Sequence, residues 1–278
     1  MPSSNRITLI TGANSGIGKA TAEALARAGH TVLMVCRSAE RGEAARTGIV
    51  SATGSDRVEL LLADLASQAD IRRLAGEVTS RYDRLDVLIN NAGIFKDNYA
   101  ETPDGFEMTW GVNHLAPFLL TNLLLDHLKA SAQGRIVNVS SAGHKQGRMH
   151  FGDPNLKAKY NGLKAYAQSK LANILHVVEL TRRLDGTAVT ANALHPGVVG
   201  TNIGSGTWAS FFFQTLGFLL LSPEKGARTS IYLATSPDVA TVSGLYFEKE
   251  RRSTPAKQAR DVEAARRLWS LSEQMTTA

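Results

Sequence analysis

Short apolar runs recur along the chain with longer amphipathic stretches between them. Ile7–Ile10, Val32–Cys36, Val58–Leu62, Val87–Ile89 and Ile136–Val139 are rich in β-branched residues and continuous in their hydrophobicity. Strands covered on both faces read this way, because apolar and polar residues alternate only where one face meets water. The intervening segments carry apolar residues at helical spacing. Strand and helix in repetition predict βαβ units joined by right-handed crossovers. Ala188–Leu194 and Gly244–Phe247 predict two more strands. The expected architecture is a single doubly wound, Rossmann-type α/β domain, with a parallel sheet of about seven strands and helices on both faces. Pro223–Ser236 and the polar, amphipathic Arg260–Leu271 predict helices, and the run RRSTPAKQAR reads as an exposed loop.

Composition mostly excludes. The 278 residues are 43% hydrophobic and 20% charged, ordinary for a globular protein with ample material for a core. A net charge of +6 is compatible with an anionic ligand or a membrane surface, but the basic residues are scattered and read as solvated faces. No zinc-finger, basic-zipper or aromatic-basic pattern points to nucleic acid, and no His/Cys/Asp cluster suggests a metal. Cys36 is the only cysteine, which excludes an intrachain disulfide and fits a reducing compartment. The N-terminal MPSSNRITLITG enters a strand almost at once and has no signal-peptide core, so a cytoplasmic location is expected. The longest apolar run, near Trp208 to Leu221, is interrupted and too short to span a bilayer; peripheral membrane contact stays open.

Candidate chemistry begins at the first turn. In TGANSGIGKATAEAL, Gly12, Gly16 and Gly18 lie between the first strand and an Ala-rich helix, with Asn14, Ser15 and Ile17 among them. Glycines there permit a tight turn and let backbone N–H groups approach a pyrophosphate, while the helix's positive end adds attraction. At the end of the second strand, where an acidic residue would bond a ribose 2′-hydroxyl, stand Cys36 and Arg37, with no carboxylate before Glu40. This predicts NADP(H) over NAD(H), with Arg37 the main contact to the 2′-phosphate and Arg41 a weaker one. The plainer reading is a surface pair of Arg37 with Glu40. Asp64, followed by Leu65, suits either an adenine contact or a helix N-cap. Asn90, Asn91, Ala92 and Gly93 close the fourth strand, at the edge where ligands lie in such sheets.

Tyr166 and Lys170 stand four residues apart in a helical segment and so share a face. A free phenol, with a pKa of about 10, is a poor acid–base group at neutral pH, and a nearby ammonium is expected to lower it. Ser141, ending the strand RIVNVSS, would hold a substrate oxygen beside that phenol. The set predicts proton transfer to or from a carbonyl or alcohol oxygen. A lone Tyr-x-x-x-Lys is otherwise a common surface pair.

With these residues assembled, the chain resembles the short-chain dehydrogenase/reductase family. TGANSGIG, NNAG, Asn113 in GVNHLAPFLLT, Ser141 in NVSS, YAQSK and HPGVVGT stand in the family's order, from residue 7 to about 202. The resemblance implies one domain over 1–278, with a cofactor half to about residue 135 and a catalytic and substrate half beyond it. It implies hydride transfer between a nicotinamide and a carbonyl or alcohol carbon. Residue by residue, it implies Tyr166 as the acid/base and Lys170 as the group that lowers its pKa and holds the nicotinamide ribose. Ser141, the second serine of its pair, would position the substrate oxygen, and Asn113 would support a water-linked proton path. Pro196, Gly197, Val199 and Thr201 would meet the nicotinamide carboxamide, and His195 is read as a structural strand-end residue.

Within the family, MVCRS, SKLANILHVVELTRRL, ALHPGVV and the late SG-x-YF resemble the retinol dehydrogenase branch. So does the interval of 25 positions from Ser141 to Tyr166, longer than in much of the family, whose extra residues predict a loop at about 144–160. That branch implies NADP(H) and a small apolar alcohol, aldehyde or ketone. The family often pairs the helices carrying Asn113 and Tyr166 with a second subunit, which makes a homodimer or homotetramer an expectation beside a monomer. Residues 202–221, with Trp208, Phe211, Phe212, Phe213 and Phe218, predict an apolar substrate lid, with core, interface or membrane contact as rivals. Two other functions stay open: a cofactor-binding regulator with little turnover, and a protochlorophyllide reductase-like enzyme. The latter usually has several cysteines near its pigment, whereas Cys36 lies in the cofactor half.

Overall fold

The structure, a computed structural model, describes residues 5–197 and 221–277. The alternation expected from the apolar runs is present. β1 (Ile7–Thr11), α1 (Gly16–Arg27), β2 (Thr31–Cys36), α2 (Ala39–Thr53), β3 (Val58–Leu62), α3 (Gln68–Arg81) and β4 (Val87–Asn90) build the first half. β5 (Arg135–Val139), a long helix Gly162–Arg183 and β6 (Thr190–His195) lead the second. β7 (Tyr246–Glu248) and β8 (Arg251–Ser253) complete one sheet in the order β3-β2-β1-β4-β5-β6-β7-β8.

Each central strand is buried on both faces, and the period of two decides which layer each residue joins. Leu9, Leu33, Leu88 and Ile136 face one layer, with Leu74 of α3, Leu120, Leu175 and Trp269. Their neighbours Ile10, Met34, Ile89 and Val137 face the other, with Leu25 of α1, Ile49 of α2 and Leu233. A continuous apolar run is the pattern this requires.

The sheet has eight strands, where about seven were expected. The extra one, β8, lies in the segment read as an exposed loop and pairs antiparallel with β7. Lys249 and Glu250 turn the chain at φ 50° and 62°, a conformation that non-glycine residues seldom adopt and that sequence pattern does not announce. Glu250 is held there by its N–H donating to Thr229 Oγ1 at 3.2 Å and by an ion pair with Arg228.

Two later elements shape the site. The loop after the 3₁₀ turn Ala142–Gln146 is tied down along its length. His150 N–H donates to Gln168 Oε1 at 2.9 Å, Gln168 Nε2 donates to the Pro154 carbonyl at 2.8 Å, and the Tyr160 hydroxyl donates to the Lys96 carbonyl at 2.8 Å. The C-terminal helix Val262–Thr276 lies across the long helix, its Trp269 ring 4.9 Å from that of Phe118 and 5.7 Å from that of His176. Among the described residues no helix is long and apolar enough to cross a membrane.

Candidate active site

β1 and β4 are neighbours, while β2 and β3 extend the sheet one way and β5 to β8 the other. The crevice beyond their carboxyl ends is thus a topological switch point. Gly12 and Gly16 take φ of 68° and 54° in the turn after β1. A Cβ on Gly18 would lie 2.2 Å from the Gly12 carbonyl oxygen, so only glycine lets α1 start this close to the strand. Ser15, the N-cap of α1, makes no side-chain capping bond, so the turn of Asn14, Ser15, Gly16 and Ile17 presents helix N–H groups to the crevice. Asn91 Nδ2 donates to the Thr11 carbonyl at 2.8 Å, and the N–H groups of Asn91 and Ala92 both donate to Thr11 Oγ1 at 3.0 Å. These bonds fasten the glycine turn to the end of β4.

Arg37 is exposed at the end of β2 and forms no ion pair among the described residues, Glu40 included. Arg41 is exposed too, and its N–H donates to Ser38 Oγ. Cys36 beside them is buried, its thiol pushed up to about 11 by burial, which makes it an inert packing residue. Asp64 is not a helix N-cap. Ser67 caps α3 by accepting from the Asp70 N–H, while Asp64 Oδ1 accepts from Ala66 N–H at 3.0 Å within its own turn. Leu65, beside it, lines a cavity of about 10 Å³ with Asn90 and Ala92.

The second cluster forms where β5, the turn after β4 and the long helix meet. Ser140 and Ser141 have different tasks. Ser140 Oγ–H donates to the Lys170 carbonyl at 2.7 Å, whereas the Ser141 hydroxyl faces Gly143 and the Tyr166 phenol. The Tyr166 ring lies against Gly143, where a Cβ would come within 3.4 Å of Cε1, and takes an edge-to-face contact from Phe95 at 5.9 Å. Lys170 is buried, its Nζ 5.6 Å from the centre of the Tyr166 ring, donating to the Val139 carbonyl at 3.1 Å. A Cβ on Gly93 would be 3.1 Å from that Nζ and 3.6 Å from Asn113 Oδ1, so Gly93 gives the lysine its room.

Asn113 sits in a wide π-helical turn, Gly111–Leu115, and its amide is fully engaged. Oδ1 accepts from Ile94 N–H at 2.8 Å, and Nδ2 donates to the Ile94 carbonyl at 2.9 Å and to Ser169 Oγ at 3.1 Å. The side chain is therefore a tie between the loop after β4 and the helix carrying Tyr166.

The electrostatics differ from the expectation that Lys170 lowers the Tyr166 pKa. Burial pushes the phenol up from its ordinary value, and only the hydrogen bond with Ser141 opposes this. Burial also lowers the Lys170 ammonium to about 8. Desolvation acts on both groups, and Nζ lies 5.6 Å from the centre of the Tyr166 ring.

Pro196 and Gly197 follow β6 at the same edge; Gly197 takes φ 90°, and a Cβ there would meet Leu221 at 2.5 Å. Val199, Thr201 and the apolar 202–220 lie outside the described residues. His195 accepts from Ala142 N–H at 3.3 Å, in keeping with a structural residue. Phe95, Gly143 and His144 are neighbours of the site that sequence reasoning did not single out. Among the described residues no metal-binding cluster occurs.

A family model for short chain dehydrogenases matches residues 6–210. Retinol dehydrogenase 13 from Homo sapiens is 48% identical over 97% of this chain and 84% of its own length. The solved structure of an uncharacterised protein from Mycobacterium paratuberculosis is 37% identical, covers 98% of this chain and 94% of its own, and has a TM-score of 0.80. A short chain dehydrogenase from Escherichia coli CFT073, solved with NADPH, is 27% identical over 90% of this chain and all of its own, with a TM-score of 0.73. The chain belongs to the short-chain dehydrogenase/reductase family, near its retinol dehydrogenases, and is an oxidoreductase.

Proposed function

We propose that this oxidoreductase uses NADP(H) and interconverts a small apolar aldehyde or ketone with its alcohol. The observation that carries the reading is the meeting of Ser141, Tyr166, Lys170 and Gly93 at the carboxyl edge, beside a glycine turn that admits no side chain at Gly18. The residues fit the cofactor. The open N-terminal turn of α1 suits a pyrophosphate, and Arg37, exposed and without an ion pair among the described residues, suits a 2′-phosphate. The relative from Escherichia coli was solved with NADPH, and the similarity to a retinol dehydrogenase favours a lipophilic substrate.

Bound NADP(H) supplies the hydride in reduction and accepts it in oxidation. Tyr166 gives a proton to the carbonyl oxygen in reduction, and burial holds the phenol in the protonated form that this requires. Ser141 donates to the same oxygen as negative charge develops there. Lys170 returns positive charge to the region and holds the ribose, while Asn113 keeps the loop after β4 in place. Oxidation uses the phenolate and is expected to strengthen as pH rises.

NADPH consumption against retinal, a long-chain aldehyde, a steroid ketone and a small ketone tests the reading. Turnover of the apolar carbonyls is expected, together with loss in Tyr166→Phe. A preference for NADPH over NADH is expected to shrink about tenfold or more in Arg37→Ala, the effect of losing one charged hydrogen bond. Equal affinities for the two cofactors in the wild type would remove the NADP(H) assignment. Tight NADPH binding without turnover of any carbonyl on this panel would overturn the proposed substrate class.

A further inference from the structure

The serine of the site is held from an unexpected side. His144 lies three residues beyond Ser141 on the 3₁₀ turn Ala142–Gln146, a helix type that stacks residues three apart. Its imidazole is wholly buried, edge-on to the Tyr246 ring at 5.1 Å. Nδ1–H donates to the Ser141 carbonyl at 2.7 Å, and Nε2 accepts from the Ala256 N–H at 3.2 Å. The two bonds fix one neutral tautomer. Gln258, two residues past Ala256, continues the seam with Nε2 donating to the Lys145 carbonyl at 2.9 Å.

On the opposite side His195 has the complementary tautomer, its Nδ1 accepting from Ala142 N–H at 3.3 Å. One ring thus donates to the serine's carbonyl, and the other accepts from the amide that follows it. Gly143, next in the chain, lies against the Tyr166 ring and donates its N–H to Ser141 Oγ at 3.2 Å. A shift of this backbone would change the aim of Oγ toward the phenol. Both nitrogens of the buried His144 ring are thus satisfied by backbone groups, one of them the peptide of the serine itself.

We propose that His144 is a positioning residue for the reaction, coupling the main chain of Ser141 to the C-terminal turn at Ala256–Gln258 so that the serine hydroxyl stays on the Tyr166 phenol. The proposal rests on the reading of Ser141 as the residue that holds the substrate oxygen.

The test uses retinal and NADPH with the full chain. His144→Asn keeps a donor in the place of Nδ1–H, whereas His144→Gln keeps an acceptor in the place of Nε2 and loses that donor. The Gln variant is expected to lose about tenfold in kcat, with KM and the NADPH dissociation constant unchanged, while Asn restores most of it. In a Ser141→Ala background, His144→Gln is expected to have no further effect. Equal kcat in the Asn and Gln variants, or a Gln penalty undiminished in that background, would overturn the proposal. Undiminished turnover in Ser141→Ala alone would instead overturn the reading of Ser141 beneath it.

Discussion

At the scale of single residues, the site is assembled against the preferences of a protein interior. Lys170 is 3% exposed and has its ammonium lowered to about 8 from 10.5. Since each unit corresponds to about 1.4 kcal/mol, keeping it charged at neutral pH costs the fold about 3 kcal/mol. The sign follows from the direction. Between the folded and unfolded values the unfolded chain binds the extra proton, so stability rises with pH across that window. Lys170→Met removes the penalty, and the Val139 carbonyl keeps a partner, because Asn173 Nδ2 donates to it at 3.3 Å. The variant is expected to gain about 1–3 kcal/mol in urea unfolding at neutral pH while losing turnover, a stability–activity exchange. A less stable Lys170→Met would show that the lysine contributes packing rather than a charge held at a cost. The same lowered value predicts that reduction falls as pH rises through about 8.

At the scale of elements, legibility in the sequence followed how local the cause was. The parallel strands could be read because burial on both faces leaves a continuous apolar run, and the glycine turn because steric exclusion at Gly18 leaves no alternative residue. Ser141, Tyr166 and Lys170 could be placed from spacing, but the direction of the Tyr166 shift could not, since it depends on burial by distant segments. β8 escaped because its turn uses Lys249 and Glu250 at positive φ, and His144 because its partner Ala256 is 112 positions away. The C-terminal helix was foreseen as an amphipathic element but not where it docks. It packs against the long helix, one of the two helices that the family resemblance pairs with a second subunit. Trp269 packs on Phe118 and His176 under the Arg183 guanidinium at 4.2 Å, and Gln68 Nε2 donates to the Met275 carbonyl at 2.7 Å. Trp269→Ala is expected to cost about 3–5 kcal/mol and to raise the average mass in sedimentation as that helix is uncovered. A wild-type dimer dissociated by this substitution would reverse the argument.

At the scale of the whole molecule, pH acts on stability through buried neutral histidines. His30 is lowered to about 4, chiefly by burial, with Arg6 the next cause. His176 is lowered to about 3 and His114 well below its ordinary value, both by burial behind the site. A folded value below the unfolded one means that the unfolded chain takes up protons first as pH falls. The stability these rings contribute is therefore complete above about 6.5 and lost toward their folded values. At pH about 5 the loss is about 2 kcal/mol for His30 and the same for His176, a large share of a typical domain's margin. The exposed carboxylates lowered by arginines, such as Glu43 beside Arg46, act only further into acid, below about 4.5, so the two windows separate. Urea unfolding between pH about 7.5 and 5 is expected to lose stability with a slope of several protons, because burial lowers His144 and His195 as well, and His176→Leu to remove one of them. A profile flat across that interval would mean that the rings take up protons within the fold. The core behind Asn138 and Asn173 would then be hydrated enough to accept charge, and the burial that holds Tyr166 protonated and lowers Lys170 would have to be weaker as well.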